Sequence, residues 1–242
     1  MKRLILTAAA IIAFQASFSQ QVIWEKTYGW QLTDKVNTIE PIDNGCYFAG
    51  GTSMNFTYTS RNYQGPSLVG AMLLKINSVG DTLWCKYLGC MGYIRALKMH
   101  PDGNLFVSVA VRDTNELYKP IRLYKVTPEG EYITSWDYPE VSNGYVNDML
   151  ILPDGGALMV GHMYSTTGGI TDGFALRVDL NGRKVWMRHY TPSLQTYINH
   201  IEALTDNSGY LISGMAGYKI FADWITEDGD CIRSEILLEL SN

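Results

Sequence analysis

The 242-residue sequence is poor in charge: Asp, Glu, Lys and Arg make up 18% of it, and its formal net charge is −5. An acidic chain without clustered Lys and Arg lacks the footprint that phosphate backbones require, so nucleic acid is excluded as a partner. Cysteine is sparse as well. Cys46, Cys85, Cys90 and Cys231 form no C-x-x-C unit, which argues against a zinc site. Cys46 sits in the apolar run "GCYFAGG" and reads as a small buried residue. Cys85 and Cys90 are close enough to bridge a loop, but four cysteines allow three complete pairings and spacing does not choose among them. His100, His162, His189 and His200 fall at different levels of the sequence pattern, so they share no metal-ligand spacing and read as surface or hydrogen-bonded histidines. There is no G-x-S-x-G elbow, no H-E-x-x-H and no P-loop, and the Gly pairs at 50–51, 155–156 and 168–169 do not open helices. No catalytic residue, metal or cofactor is therefore expected.

Long hydrophobic runs are also missing after the first residues. "MKR" followed by "LILTAAAIIAF" has the form of a secretory signal, with small residues at Ser17 and Ser19 before a cleavage point at Gln20. The run is shorter than the roughly 20 residues a spanning helix needs. Residues 1–19 are thus expected to be removed, taking Lys2 and Arg3 with them and making the chain more acidic by two charges. No cysteine follows the apolar stretch, which argues against a lipid anchor. The expectation is an exported chain that does not insert in the membrane and resides in the periplasm, at the cell surface or outside the cell.

Aromatic residues and glycine are plentiful, with 16 Tyr, 6 Trp and 23 Gly. They recur with a period of about fifty. Trp24, Trp84, Trp136 and Trp186 are 60, 52 and 50 residues apart; Asp43, Asp102, Asp154 and Asp206 are 59, 52 and 52 apart; Gly80, Gly130, Gly182 and Gly229 are 50, 52 and 47 apart. Each repeat opens with an alternating stretch ("VNTIEPI", "IRALKMH", "VNDMLIL", "INHIEAL") and a turn rich in Asp and Gly. A continuous apolar run follows ("CYFAGG", "LFVSVAV", "ALMVG", "YLISG"), then a looser loop, a third strand and a hairpin turn ("NSVG", "TPEG", "DLNG", "TEDG"). A short apolar run bounded by turns reads as a strand buried on both faces. The fourth strand carries the Trp in the first three repeats, and no Trp stands there in the last. Four-stranded repeats of this length imply an all-β, β-propeller-like fold of about four four-stranded antiparallel blades, closed or as an incomplete ring. The repeats span about 36–88, 94–138, 146–190 and 198–240 of a single domain, 20–242, with an extra strand at 22–28.

The segments "W-x-K-x-Y-G", "DNGCYFAGGT" and "LLKINSVGDTLW" resemble those of secreted β-propeller repeat proteins of Bacteroidetes. The resemblance covers nearly all of the chain after the signal. It implies an exported propeller, in a family whose members often end in a type IX sorting domain; no such domain is expected after "LLELSN" here.

"DLNG" in isolation suggests a calcium loop, but its counterparts "NSVG" and "TPEG" lack alternating acidic oxygens, so a hairpin turn is expected. The repeated Trp reads as packing between sheets rather than as a ligand platform. Topology places the short turns on one face and the long, varied loops on the other, including "YLGCMGY", "YPEVSNGY" and "YTPSLQTY" between repeats. The triplets "KVN", "YIR", "YVN" and "YIN" enter the innermost strand on that long-loop face. They make Asn37, Tyr93, Arg95, Tyr145, Asn147, Tyr197 and Asn199 the candidate ligand-binding residues; the competing reading is that Tyr packs between blades and Asn caps loop backbone. The expected function is a non-catalytic binding or interaction module for a protein or glycan ligand. The alternatives are a glycan-active lyase or hydrolase with its site in the central channel, and a truncated propeller without independent function.

Overall fold

A computed structural model describes residues 25–28, 33–54, 69–112, 119–164, 169–190 and 193–239. The expected signal segment, the start of the 22–28 strand and most of the longest loops lie outside the described residues. The described chain folds into fifteen strands, joined through antiparallel pairs, with one 3-10 turn at Asp43–Gly45 and no α-helix. Among the described residues no helix is long and apolar enough to cross a membrane.

The strands fall into four consecutive meanders. The first contains β1 (Asp34–Pro41), β2 (Tyr47–Ser53), β3 (Gly70–Ile76) and the first part of β4 (Thr82–Met99). The second uses the rest of β4, then β5 (Leu105–Val111), β6 (Ile121–Val126) and β7 (Tyr132–Tyr138). The third is β8 (Gly144–Ile151), β9 (Ala157–Tyr164), β10 (Thr171–Val178) and β11 (Lys184–Tyr190). The fourth is β12 (Thr196–Ala203), β13 (Tyr210–Ala216), β14 (Lys219–Ile225) and β15 (Cys231–Glu239). The order within each unit is sequential, as the repeat pattern implies.

One expectation fails at the first junction. "YLGCMGY", read as a loop, lies inside the continuous 18-residue strand β4, so the first two units form one seven-stranded sheet. The pairing of β4 with β3 slips between Gly70–Met91 and Met72–Tyr87, and Gly89 takes φ +69 at that slip. Cys90 and Met91 are buried. Glycine supplies the bend and apolar burial holds the backbone in the sheet, where a looser connection was expected. No disulfide joins the four cysteines. Burial, reinforced by the nearby Asp34 charge, pushes the Cys85 thiol up to about 11, so it is protonated at neutral pH.

The hairpin turn between third and fourth strands follows one chemical rule. Its first residue offers a side-chain oxygen to backbone N–H groups further on. Asn77 Oδ1 accepts from Val79 and Asp81, Thr127 Oγ1 from Glu129 and Glu131, and Asp179 Oδ1 from Asn181 and Arg183, both at 2.8 Å. Asn, Thr and Asp interchange because the turn needs only an acceptor. "DLNG" is therefore a turn, and Gly182 closes it at φ +72.

The apolar cores lie between units. Phe48 and Leu73 of the first pack with Leu105, Val107 and Val109 of the second. Phe106, Ile121 and Leu123 pack with Met149, Met159, Phe174 and Leu176 of the third. Leu158 and Val160 pack with Ile198, Ile212 and Phe221 of the fourth. A second strand squeezed between neighbours must be apolar on both faces, and every residue of β5 is buried.

The outer strands lock each unit to the turn of the next. A Cβ on Gly130, Gly182 or Gly229 would fall within 2.9 Å of the ring of Trp84, Trp136 or Trp186 respectively. The turn glycine thus meets two demands, positive φ and room for the preceding unit's indole. Tyr138 and Tyr190 donate their hydroxyls to the Gly182 and Gly229 carbonyls at 2.9 and 2.6 Å. Tyr28 makes the same bond to Gly80 O at 2.8 Å, and Lys26 pairs with Asp81 at 2.9 Å. The N-terminal segment therefore docks on the first unit as an outer strand docks on the unit after it. In the fourth unit the absent Trp reappears across the strand pair: Trp224 faces Arg233, whose guanidinium lies 4.3 Å from the ring centroid.

Candidate functional site

Each innermost strand contains the same irregularity. Pairing slips by one residue between Val36 and Thr38, Ile94 and Ala96, Val146 and Asp148, and Ile198 and His200. The residues left out are Asn37, Arg95, Asn147 and Asn199, four of the seven candidates. A bulge re-aims one side chain out of the ladder. In three units a glycine opposite makes it possible: a Cβ on Gly51, Gly161 or Gly214 would lie 1.8–1.9 Å from the carbonyl oxygen of Lys35, Tyr145 or Tyr197. The second unit departs twice, with Arg95 in the bulge and Val109 where the others have glycine.

The bulged side chains reach the neighbouring unit. Asn37 Nδ2 donates to Ile94 O at 2.9 Å, and Asn147 Nδ2 donates to Ile198 O at 2.8 Å. These two amides staple innermost strands together, which is the capping role weighed against binding. Arg95 instead reaches Asn147 Oδ1 at 3.4 Å, and Asn199 is exposed.

Two residues before the bulge in the second, third and fourth units stands the repeated Tyr, and here these three units converge. The Tyr93 and Tyr145 rings meet edge-on with centroids 6.2 Å apart. His162, cross-strand from Tyr145, lies 5.3 Å from that ring and 4.8 Å from the ring of Tyr197. Tyr164 closes the group at 5.4 Å from His162. The guanidinium carbons of Arg95 and Arg112 lie 4.5 and 4.7 Å from the centroid of Tyr145. The structure thus joins Tyr93, Arg95, Tyr145, Asn147, Tyr197 and Asn199. Asn37 sits one unit away, bonded to Ile94 O.

Three members were not singled out in the sequence: Arg112, His162 and Tyr164. All lie at or just past the ends of second strands, and their signal is register. His162 pairs with Tyr145, and Arg112 follows β5 two residues beyond Ala110, the partner of Tyr93. His162 is buried at 5% exposure, with Nδ1 facing Asn147 Nδ2 at 3.1 Å. Burial, aided by the positive Arg95, pulls its pKa down to about 4, so the ring is neutral at pH 7 and accepts from Asn147. Burial also raises the pKa of Tyr164. The charges of this cluster at neutral pH are therefore the two guanidiniums. A groove of about 870 Å³ lies elsewhere, lined by Lys86, Tyr87, Arg122, Tyr124, Glu131 and Tyr132. It carries cation–acid pairs rather than a convergent set of groups.

Sheet topology and the recurring bulge define a propeller-like, all-β chain. The solved structures similar to it include a protein of unknown function from Bacteroides caccae, at 17% identity and a TM-score of 0.44, over 70% of this chain and 54% of that one. Sqt1 from Chaetomium thermophilum gives 11% and 0.43, over 85% and 62%. The WD40 domain of Pan2 from Neurospora crassa gives 12% and 0.36, over 84% and 78%. The chain spans less than two thirds of the length of the first two. No family model matches the sequence, and no curated protein does.

Proposed function

We propose that this chain is a non-catalytic, exported binding module: four propeller blades whose long-loop face presents the tyrosine–arginine cluster to a ligand. The observation that carries the reading is the unbroken chain of ring contacts Tyr93–Tyr145–His162–Tyr197, which crosses three blades. Tyrosine gives rigid contact area with few rotatable bonds, and this cluster is held by strands rather than by mobile loops. The hydroxyls of Tyr93, Tyr145, Tyr164 and Tyr197 make no hydrogen bond among the described residues, so they are available to a ligand. Export rests on the pattern of residues 1–19.

The test is a glycan and peptide binding screen of the full chain beside Tyr145→Ala. Tyr145 is half-buried and central, so its truncation should weaken a true ligand by roughly tenfold or more while the fold is retained, as checked by circular dichroism. A bona fide ligand that binds the variant unchanged would place the binding surface elsewhere.

A further inference from the structure

Ten described Lys and Arg side chains form ion pairs with carboxylates, among them Lys98–Glu40, Arg122–Asp137 and Arg177–Asp154. Arg95 and Arg112 are among the described cations that do not, and both stand against the ring of Tyr145. Both guanidiniums lie within 5 Å of the Tyr145 centroid, and Arg112 is also 5.8 Å from that of Tyr93. Arg95 has one long hydrogen bond, to the Asn147 amide oxygen; Arg112 has no carboxylate or carbonyl partner among the described residues. The face of an aromatic ring offsets part of the repulsion between two cations but neutralises neither. Among the described residues no carboxylate pairs with either of them. Two fork-shaped donors held against one ring, with no counter-ion among the described residues, make a receptor for an anion.

We propose that Arg95 and Arg112, on either arm of the Tyr145 contact, bind the anionic group of an acidic saccharide, either a uronate carboxylate or a sulfate ester. The inference rests on the binding-module reading and deepens it. A saccharide fits better than an acidic peptide because of what surrounds the two cations. The unpartnered groups among the described residues are the Tyr hydroxyls, and the exposed Asn199, whose Oδ1 accepts a long bond from Asn147, still has its amide N–H groups to offer; both suit a polyhydroxylated ligand, and Tyr rings offer edges to pyranose C–H groups. β8 and β12 are edge strands of their sheets, so an acidic peptide that adds a strand there is the competing occupant, and a hexaglutamate probe tests for it. His162 stays neutral beside them, so it contributes a hydrogen bond rather than a third positive charge.

Calorimetric titration of the full chain decides the matter with five probes: a hyaluronan hexasaccharide, its carboxyl methyl ester, a sulfated carboxyl-free galactan oligosaccharide, chitohexaose and hexaglutamate. The expected result is binding of the hyaluronan or the sulfated probe, which identifies carboxylate or sulfate as the group recognised. That binding should fall about tenfold or more in Arg112→Gln and in Arg95→Gln, and on esterification if hyaluronan is the ligand. Both variants should melt within a few degrees of wild type, since Arg95 is exposed and Arg112 only half-buried. Failure to bind either anionic saccharide overturns the inference, as does a preference for hexaglutamate. Equal binding of ester and acid, or tighter binding of chitohexaose, overturns the anionic specificity while leaving a binding module in place. Binding of the same saccharide by Tyr145→Ala as tightly as by wild type would instead count against the binding face itself.

Discussion

At the scale of the residue, two side chains carry most of the measurable consequences. Trp186 is buried at 9% exposure against Gly229, and its indole N–H donates to Glu227 O at 3.1 Å. Trp186→Ala should lower unfolding free energy by about 3–5 kcal/mol in urea titration. Trp84, which is less buried and has no such hydrogen bond among the described residues, should cost less on the same substitution. His162 governs a pH dependence. Its folded pKa of about 4 lies below the ordinary value near 6.5, so the unfolded chain binds the extra proton first. The stabilisation is intact above pH 6.5 and is lost as pH falls from there through 4, on the order of 3 kcal/mol in all. Thermal melts of wild type and His162→Gln across that window should converge at low pH, because the variant has no imidazole to protonate.

At the scale of the element, the innermost-strand bulge is the unit's defining device. Gly161→Ala places a methyl group 1.8 Å from the Tyr145 carbonyl and should destabilise by more than about 1 kcal/mol, with the loss of the register around Asn147 visible in amide hydrogen exchange. Ala157→Gly, on the same strand away from the bulge, should leave that register intact. Much of this was legible beforehand. The apolar second strands, the Asp and Gly turns, the Trp spacing and the Tyr-x-Asn triplets all follow from period and turn chemistry, because each repeat solves the same packing problem. The bulge was not read, although "AGG", "MVG" and "ISG" carry its glycines. A strand slip depends on what stands across the ladder, and that is a pairwise fact with no local signature. Arg112 and Tyr164 were passed over for the same reason, and His162, read as a surface or hydrogen-bonded histidine, is hydrogen-bonded to Asn147 but was not placed in the cluster. The "YLGCMGY" segment was misjudged because glycine marks a turn or a bent strand equally well, and only the burial of Cys90 and Met91 chooses between them.

At the scale of the molecule, stability resides in junctions. Inner strands are joined by Asn37 and Asn147, and again by Glu40 to Lys98 at 3.0 Å and Asp148 to the Ile201 N–H at 3.1 Å. Outer strands are joined by Trp on Gly and Tyr on carbonyl. Tyr28→Phe removes one such bond from the first unit and should cost about 1 kcal/mol, seen as a lower urea midpoint with an unchanged slope. Tyr28→Ala should cost more, because Tyr28 also packs on the core of Ala49, Met72, Leu74 and Ile76.

These junctions have a direction. In every internal case the outer strand of one unit supplies the ring and the next unit's turn supplies the glycine. In β15 the positions that carry Trp, Arg and Tyr in β11 hold Arg233, Glu235 and Leu237. The series therefore has a plug at each joint and a blank at one end. A duplicated third unit placed after Tyr190 brings its own plug and socket and can be accommodated; the same copy placed after Glu239 meets a strand with nothing to insert. Insertion of a unit is thus easier between two existing units than after β15, because only between units does the added copy meet both a ring and a turn glycine.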